Sequence, residues 1–152
     1  MRLLGVDVGR RRVGLAISDP SGTLARPLTT LTVTSPADAV HRVAAEVARL
    51  ASEDDGLAGI VVGLPARLDG SPGSETPGVA AFMAALGARV TVPIVGGDER
   101  LTSVEAESRL AVGEPDWRRR KKKLDAAAAA VILQDYLDGQ RAGGPEGPPL
   151  YR

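Results

Sequence analysis

The first strand of this chain carries a single charged residue inside an apolar run. Residues 3–9 have the sequence LLGVDVG, which is short, partly β-branched and bounded by glycine. Such a run is typical of a strand that is buried on both faces in the middle of an α/β sheet. Asp7 interrupts the run, and a carboxylate taken out of water requires a cation or a hydrogen-bond donor nearby. We therefore predict a central strand in which Asp7 binds a partner.

A tight, basic turn follows that strand. Gly9 and Gly14 bracket it, and glycine allows the backbone to come close to a ligand. Between them stand three arginines: Arg10, Arg11 and Arg12. The turn leads into a second strand, so we expect a hairpin that places positive charge beside whatever Asp7 binds.

The rest of the chain alternates between strands and helices. The patterns predict strands at 13–18, 28–33, 57–65 and 90–95, helices at 36–52, from 76, at 102–112 and from 124, a loop at 66–77 and a polar loop at 113–123. We expect an α/β domain with a five-stranded mixed sheet, three antiparallel strands followed by parallel ones, flanked by helices. The 152 residues fit one domain at 1–138, followed by a flexible tail rich in Gly, Pro and Arg at 139–152.

The amino-acid composition restricts the class of protein to which this chain can belong. There is no cysteine, which excludes a disulfide framework and a thiolate zinc site, and no apolar run approaches the roughly 20 residues of a membrane span. We expect a soluble, cytoplasmic protein without a membrane partner. Formal net charge is zero, with 19 basic and 19 acidic residues. That balance hides a segregation, because six of the basic residues are consecutive: Arg118, Arg119, Arg120, Lys121, Lys122 and Lys123.

This basic run and its neighbour Trp117 suggest a contact with nucleic acid. A local positive patch on an otherwise acidic chain can hold phosphates at one place. An aromatic ring beside it can stack on a base. Two other interpretations stay open: the charges are simply solvated, and Trp117 covers the core.

Acidic residues occur at three places that the predicted topology could bring together. They are Asp7 in the first strand, the pair Asp98 and Glu99 after a later strand, and Asp125 at the start of the last helix. Asp98, Glu99 and Asp125 could also simply favour the positive ends of helices. Three converging carboxylates without histidine or cysteine suit a hard cation, Mg²⁺ or Mn²⁺. Paired ions of this kind can activate a water molecule and stabilise the leaving oxygen of a phosphodiester. Metal-dependent cleavage of nucleic acid is therefore the leading hypothesis.

Four segments also resemble one protein family. They are GVDVGRRRVGLAISD (5–19), IVVGLPARLDG (60–70), DERLTSVEAE (98–107) and KKKLDAAAAAVILQDYL (121–137). Together they resemble the YqgF/RuvX family, described as Holliday-junction-resolvase-like proteins and nucleases for the 5′ end of pre-16S rRNA. The resemblance implies a ribonuclease-H-like fold and an acidic triad of Asp7, Glu99 and Asp125, in which Asp98 could share or replace the role of Glu99.

The expected function is therefore a nuclease with two Mg²⁺ or Mn²⁺ ions. Its substrate would be precursor rRNA or branched DNA, and the protein would be a monomer or a homodimer. The residues expected to contact nucleic acid are Arg10, Arg11, Arg12, Arg100, Trp117 and the basic run 118–123. Three alternatives remain. The chain could be a non-catalytic RNA-binding factor in ribosome biogenesis or transcription, a Holliday-junction resolvase, or a relative of the actin-like ATPases and sugar kinases, whose phosphate hairpin is similar but which need two such domains.

Overall fold

A computed structural model describes residues 1–64, 76–98, 117–143 and 150–151, and in them six strands form one mixed sheet. The strands are β1 (Arg2–Val8), β2 (Arg12–Ser18), β3 (Ala25–Thr32), β4 (Leu57–Leu64), β5 (Ile94–Asp98) and β6 (Leu150–Tyr151), and the helices are α1 (Pro36–Ala51), α2 (Thr76–Gly87) and α3 (Trp117–Gly143). The order across the sheet is β3-β2-β1-β4-β5-β6. This part of the chain contains no helix with the length and apolar character needed to cross a membrane.

The predicted mixture of strand directions is confirmed. β1, β2 and β3 form an antiparallel meander, whereas β4 lies parallel to β1 and β5 parallel to β4. The carboxyl ends of β1, β4 and β5 therefore meet at one edge of the sheet, which is where open α/β sheets bind ligands. β1 is the central strand that its apolar sequence predicts, since it pairs on both sides.

Helices cover both faces of the sheet. Leu4 and Val6 of β1 pack into the core that contains apolar residues of α1 and α2. Gly5, between them, faces α3, because a β-carbon at this position would lie 2.8 Å from the carbonyl oxygen of Ala129. Alternation along β1 thus sends even positions toward α1 and α2 and odd positions toward α3. Asp7 is an odd position.

α1 begins where its sequence predicts. The Ser35 hydroxyl accepts a hydrogen bond from the Asp38 backbone N–H at 3.0 Å, and Pro36 occupies the first helical position. Both features satisfy the requirements of a helix N-terminus. Val40, Val43 and Val47, which recur at helical spacing, are buried.

α3 differs from the prediction at both ends. It begins at Trp117 rather than at residue 124, so the polar loop predicted at 113–123 is wrong for residues 117–123, and residues 113–116 lie outside the described residues. Arginine and lysine are good helix formers, and no Gly or Pro occurs between residues 117 and 138 to stop the helix. The helix also continues through Gly139 to Gly143, where we predicted a tail, and Leu150–Tyr151 pairs antiparallel with β5 as a sixth strand.

β5 is shifted along the chain relative to the predicted strand at 90–95. It begins at Ile94, directly after Pro93, whose carbonyl oxygen accepts a hydrogen bond from the Ile60 N–H at 2.9 Å. It then runs to Asp98. Most of the loop predicted at 66–77 and the whole helix predicted at 102–112 lie outside the described residues.

Candidate active site

Asp7 and Asp125 come together through Gly14. Asp7 of β1 is paired with Gly14 of β2 in the antiparallel register, and directly opposed residues in such a pair send their side chains to the same face. α3 crosses that face so closely that a β-carbon on Gly14 would overlap the carbonyl oxygen of Asp125. The two acidic residues, 118 positions apart in sequence, thus lie on one face of the sheet near the carboxyl end of β1.

Beside Asp7 the sheet is bare of side chains. Gly63 of β4 is paired with Gly97 of β5, and Gly63 follows Val62, which pairs with Val6 of β1. A row across the sheet therefore consists of Gly14, Asp7, Gly63 and Gly97. Asp7 is the one residue in this row that is not glycine. The sequence contained this signal, since all three glycines stand at strand positions where glycine weakens a strand unless something approaches closely.

Gly97 also has a packing role. A β-carbon at this position would lie 3.1 Å from a methyl carbon of Val61 and 3.2 Å from one of Ile132 on α3. The close approach shows that Gly97 faces α3, as Gly14 does. The flat row of glycines therefore lets α3 lie close to the sheet at the end that carries Asp7 and Asp125.

Asp125 has a partner that the sequence did not suggest. The Nε of Arg12, the first residue of β2, donates a hydrogen bond to Oδ2 of Asp125 at 2.6 Å. The two side chains are 29% and 25% exposed, so the ion pair is partly shielded from water. Arg12 was expected to contact phosphate; the structure shows that it contacts a predicted metal ligand.

Of the other two predicted acidic residues, Asp98 and Glu99, the structure describes only Asp98. Asp98 is the last residue of β5, and its backbone is paired with Leu64 at the end of β4. Glu99 and Arg100, the next two residues in sequence, lie outside the described residues. Within the described ranges no group of three or more His, Cys, Asp or Glu side chains is arranged to hold a metal ion. The predicted triad therefore stays a prediction in which Asp7 and Asp125 share a face.

The basic run belongs to the same helix as Asp125. Residues 118–123 occupy the first two turns of α3, and Trp117 lies eight residues before Asp125, about 12 Å along the helix axis. Cations in the first turns oppose the helix dipole, and like charges three or four residues apart repel each other. Six of the seven residues in these two turns carry a positive charge. The helix fixes the backbone of this basic run relative to Asp125.

The arginine turn directly follows β1. Arg10 and Arg11 are exposed, and the turn is held by a hydrogen bond from the Gly9 N–H to the Arg12 carbonyl oxygen at 2.9 Å. A second bond runs from the Val33 N–H to the Arg11 carbonyl oxygen at 2.9 Å. The backbone of the turn is thereby fixed at the end of the sheet where Asp7 lies.

Two other features lie away from this site. A cavity of about 640 Å³ opens between the β1–β2 turn, α1 and α2, with an apolar lining that includes Val40, Val79 and Phe82, and it lies on the face opposite α3. Asp19, in the motif at 5–19, accepts hydrogen bonds from the Ser21 hydroxyl and from the backbone N–H groups of Leu24 and Thr23. These bonds lower the pKa of Asp19 to about 2, and they give this carboxylate a structural role in the turn after β2.

Comparison with known proteins agrees with the resemblance seen in the sequence. A family model described as RuvX, Holliday junction resolvase, matches residues 1–139. A relative from Chloroflexus aggregans, named "Putative pre-16S rRNA nuclease", is 43% identical over 139 residues that cover 91% of this chain and 94% of the relative. A relative of the same name from Desulforudis audaxviator is 38% identical over 143 residues, covering 94% and 98%.

Solved structures share the fold. RuvC from Thermus thermophilus, in complex with a Holliday junction substrate, superposes with a TM-score of 0.56 at 17% identity and covers 98% of this chain and 99% of its own. The resolvase of Fowlpox virus, bound to Holliday junction DNA, gives 0.54 at 11% identity, with coverage of 91% and 97%. The predicted ribonuclease-H-like fold is thereby confirmed.

Proposed function

The chain belongs to the RuvX family, and from this membership we propose that it is a divalent-metal-dependent nuclease that hydrolyses phosphodiester bonds in structured RNA. The observation that carries the proposal is the position of Asp7 and Asp125 on one face of the sheet, at the carboxyl end of β1, with the basic first turns of α3 adjoining. Membership of the family supports the class of reaction, and the position of these residues supports this end of the sheet as the active site.

The donor chemistry fits a hard cation. Asp7 and Asp125 offer carboxylate oxygens, which Mg²⁺ and Mn²⁺ prefer over nitrogen or sulfur ligands. Glu99 is the proposed third ligand, with Asp98 beside it in the sequence. A cation bound here would polarise the scissile phosphate and lower the pKa of a water molecule.

The basic residues hold the flanking phosphates. The arginine turn follows Asp7 at the carboxyl end of β1, and the basic turns of α3 directly precede Asp125, so a strand crossing the carboxylates would meet positive charge from both segments. Arginine and lysine side chains bind phosphate oxygens with charge-assisted hydrogen bonds. We propose that the turn, Arg100 and the 117–123 segment bind the strand, and that cleavage leaves 5′-phosphate and 3′-hydroxyl ends.

The proposed substrate is the 5′ end of pre-16S rRNA. Its support is the name shared by relatives that are 43% and 38% identical over almost the whole chain. The resolvase neighbours, at 17% and 11% identity, support the fold alone. We therefore expect precursor rRNA to be cleaved in preference to a four-way DNA junction.

The test is a cleavage assay with both substrates. Purified protein is incubated with precursor rRNA or with a four-way DNA junction, in Mg²⁺, Mn²⁺ or EDTA. Asp7→Asn and Asp125→Asn replace each candidate ligand with a side chain of similar shape and no charge. Asp138→Asn is the matched control, because Asp138 lies on the same helix three to four turns beyond Asp125 and accepts a hydrogen bond from Gln134.

We expect metal-dependent cleavage of the rRNA by the wild-type and Asp138→Asn proteins. Both site variants should lose at least about a hundredfold in rate while keeping the helical circular-dichroism signal. Full activity in Asp7→Asn would refute the proposed metal site. Tight RNA binding without cleavage in any metal would instead favour the non-catalytic RNA-binding factor, and preferential cleavage of the junction would favour a resolvase.

A further inference from the structure

Arg12 joins the two halves of the proposed site through a single contact. Its guanidinium Nε lies 2.6 Å from Oδ2 of Asp125, across 113 residues of sequence. The contact connects the arginine turn, which we assign to phosphate, with a carboxylate that we assign to the cation. Both assignments involve the same two side chains. If Asp125 binds a cation while Arg12 stays beside it, the cation and the guanidinium repel each other.

We propose that Arg12 is a positioning residue that alternates between Asp125 and nucleic-acid phosphate, so that cation binding and nucleic-acid binding strengthen each other. This inference rests on the proposed nuclease function. Without a cation, Arg12 neutralises Asp125. When a divalent cation takes that role, the guanidinium is released toward the phosphates of the bound strand. Arg12 thereby exchanges one anionic partner for another of the same geometry.

The backbone of Arg12 is held in place during this exchange. Its carbonyl oxygen accepts a hydrogen bond from the Gly9 N–H, and its Cα is paired with Thr32 of β3. A β-carbon on Gly9 would lie 2.6 Å from that carbonyl oxygen, so the turn is closed tightly around it. The exchange is therefore a change of side-chain rotamer, which requires no movement of the sheet.

The linkage is reciprocal. If phosphates draw Arg12 away from Asp125, the carboxylate becomes more available to a cation, and the cation in turn raises the affinity for phosphate by the same factor. Because both side chains are about a quarter exposed, the ion pair is of moderate strength. The expected coupling is about fivefold in either affinity.

The first test measures cation binding without catalysis. Free Mn²⁺ is followed by electron paramagnetic resonance during titration of the full chain, in the wild-type, Arg12→Gln and Arg11→Gln proteins. Arg11→Gln is the matched control, since it removes one exposed positive charge from the same turn. We expect Arg12→Gln to bind Mn²⁺ about fivefold more tightly than wild type, and Arg11→Gln to show a clearly smaller gain because exposed charges are screened. In an Asp125→Asn background the difference between the two variants should vanish.

The second test measures RNA binding. A fluorescein-labelled 2′-O-methyl RNA, which resists cleavage, is titrated by anisotropy in EDTA and in Mn²⁺. Arg12→Gln should bind as wild type does in EDTA, where Arg12 is held by Asp125, and several-fold more weakly in Mn²⁺. Arg11→Gln should lose affinity equally in both conditions.

The outcomes separate this inference from the proposed function. If wild type binds Mn²⁺ and cleaves RNA but Arg12→Gln behaves as Arg11→Gln in both titrations, the exchange is refuted and the nuclease proposal stands. Weaker Mn²⁺ binding in Arg12→Gln refutes the exchange as well. If wild type neither binds Mn²⁺ nor cleaves, both proposals fail.

Discussion

The carbonyl oxygen of Asp125 occupies the space that a β-carbon of Gly14 would fill. This contact sets the distance between α3 and the β1–β2 hairpin at the point where the two carboxylates lie. Backbone atoms form the contact on the helix side, so a larger residue at position 14 cannot be accommodated by a rotamer change. The position of Asp125 relative to Asp7 therefore depends on residue 14 being glycine, which has no side chain beyond a hydrogen atom.

Gly14→Ala should both destabilise the fold and displace Asp125. The added methyl group forces α3 away from β2, and we expect a loss of about 3 kcal/mol in the free energy of unfolding, measured by urea denaturation. Gly139→Ala on the same helix is the control. Apart from the backbone of its own helix, no atom of the described residues lies within 4 Å of its β-carbon position, and alanine should stabilise the helix by about 0.5–1 kcal/mol. Equal stability of the two variants would contradict the close approach of α3.

A second prediction concerns stabilisation by metal. A cation that binds the folded chain alone raises its stability, by about 2.7 kcal/mol at a concentration one hundred times Kd. We expect Mn²⁺ to raise the melting temperature of wild type and of Asp138→Asn, and to leave Asp7→Asn and Asp125→Asn nearly unchanged. The measurement is thermal unfolding by circular dichroism with Mn²⁺ or EDTA. An equal rise in all four proteins would show that the stabilising ion binds elsewhere.

Much of the fold follows from the sequence because local signals and long-range packing agree. The apolar run around Asp7 and the helical pattern at 36–52 each predict an element that the structure contains. The start of α3 could not be predicted in this way. Six like charges suggest a solvated loop, whereas the structure continues the helix through them, because arginine and lysine favour helix formation once a packed segment nucleates it.

The site shows a similar division. Asp7 could be proposed from its place in an apolar run and Asp125 from its position at the start of the last helix. The pairing of Arg12 with Asp125 could not be proposed, since it depends on register and on how close α3 comes to the sheet. The glycines at positions 14, 63 and 97 carried the relevant signal. Taken one at a time, these glycines suggest turns or weak strands. That they form one row beside Asp7 is known only from the register of the strands.

A third prediction concerns the basic turns of α3. Replacing Lys121, Lys122 and Lys123 with alanine should weaken RNA binding and reduce the slope of log affinity against log salt by about 2, since each phosphate contact on a single strand contributes about 0.7. The measurement is anisotropy over a range of salt concentrations. A variant with Arg42, Arg49 and Arg89 changed to alanine removes the same charge from exposed positions of α1 and the turn after α2. It should leave the slope nearly unchanged, and an equal reduction in both variants would mean that net charge alone governs binding.

The last prediction separates Asp19 from the site, although both lie within the motif at 5–19. Hydrogen bonds from the Ser21 hydroxyl and the N–H groups of Leu24 and Thr23 hold the pKa of Asp19 at about 2, below its ordinary value of 3.8. Because the pKa is depressed in the folded state, the stabilisation is complete above about pH 4 and is lost as the pH falls through about 2. Asp19→Asn should therefore be less stable than wild type at pH 7, and this difference should shrink between about pH 4 and pH 2.

Urea unfolding at several pH values measures this effect, and Asp55→Asn, in an exposed turn, controls for the loss of one negative charge. β2 separates Asp19 from Arg12 by its full length, about 24 Å, so Asp19→Asn should retain wild-type cleavage and Mn²⁺ binding at pH 7. A stability difference that is independent of pH would exclude the charged turn as its origin. A loss of Mn²⁺ binding in this variant would show that the whole motif, rather than its Asp7 end, contributes to the cation site.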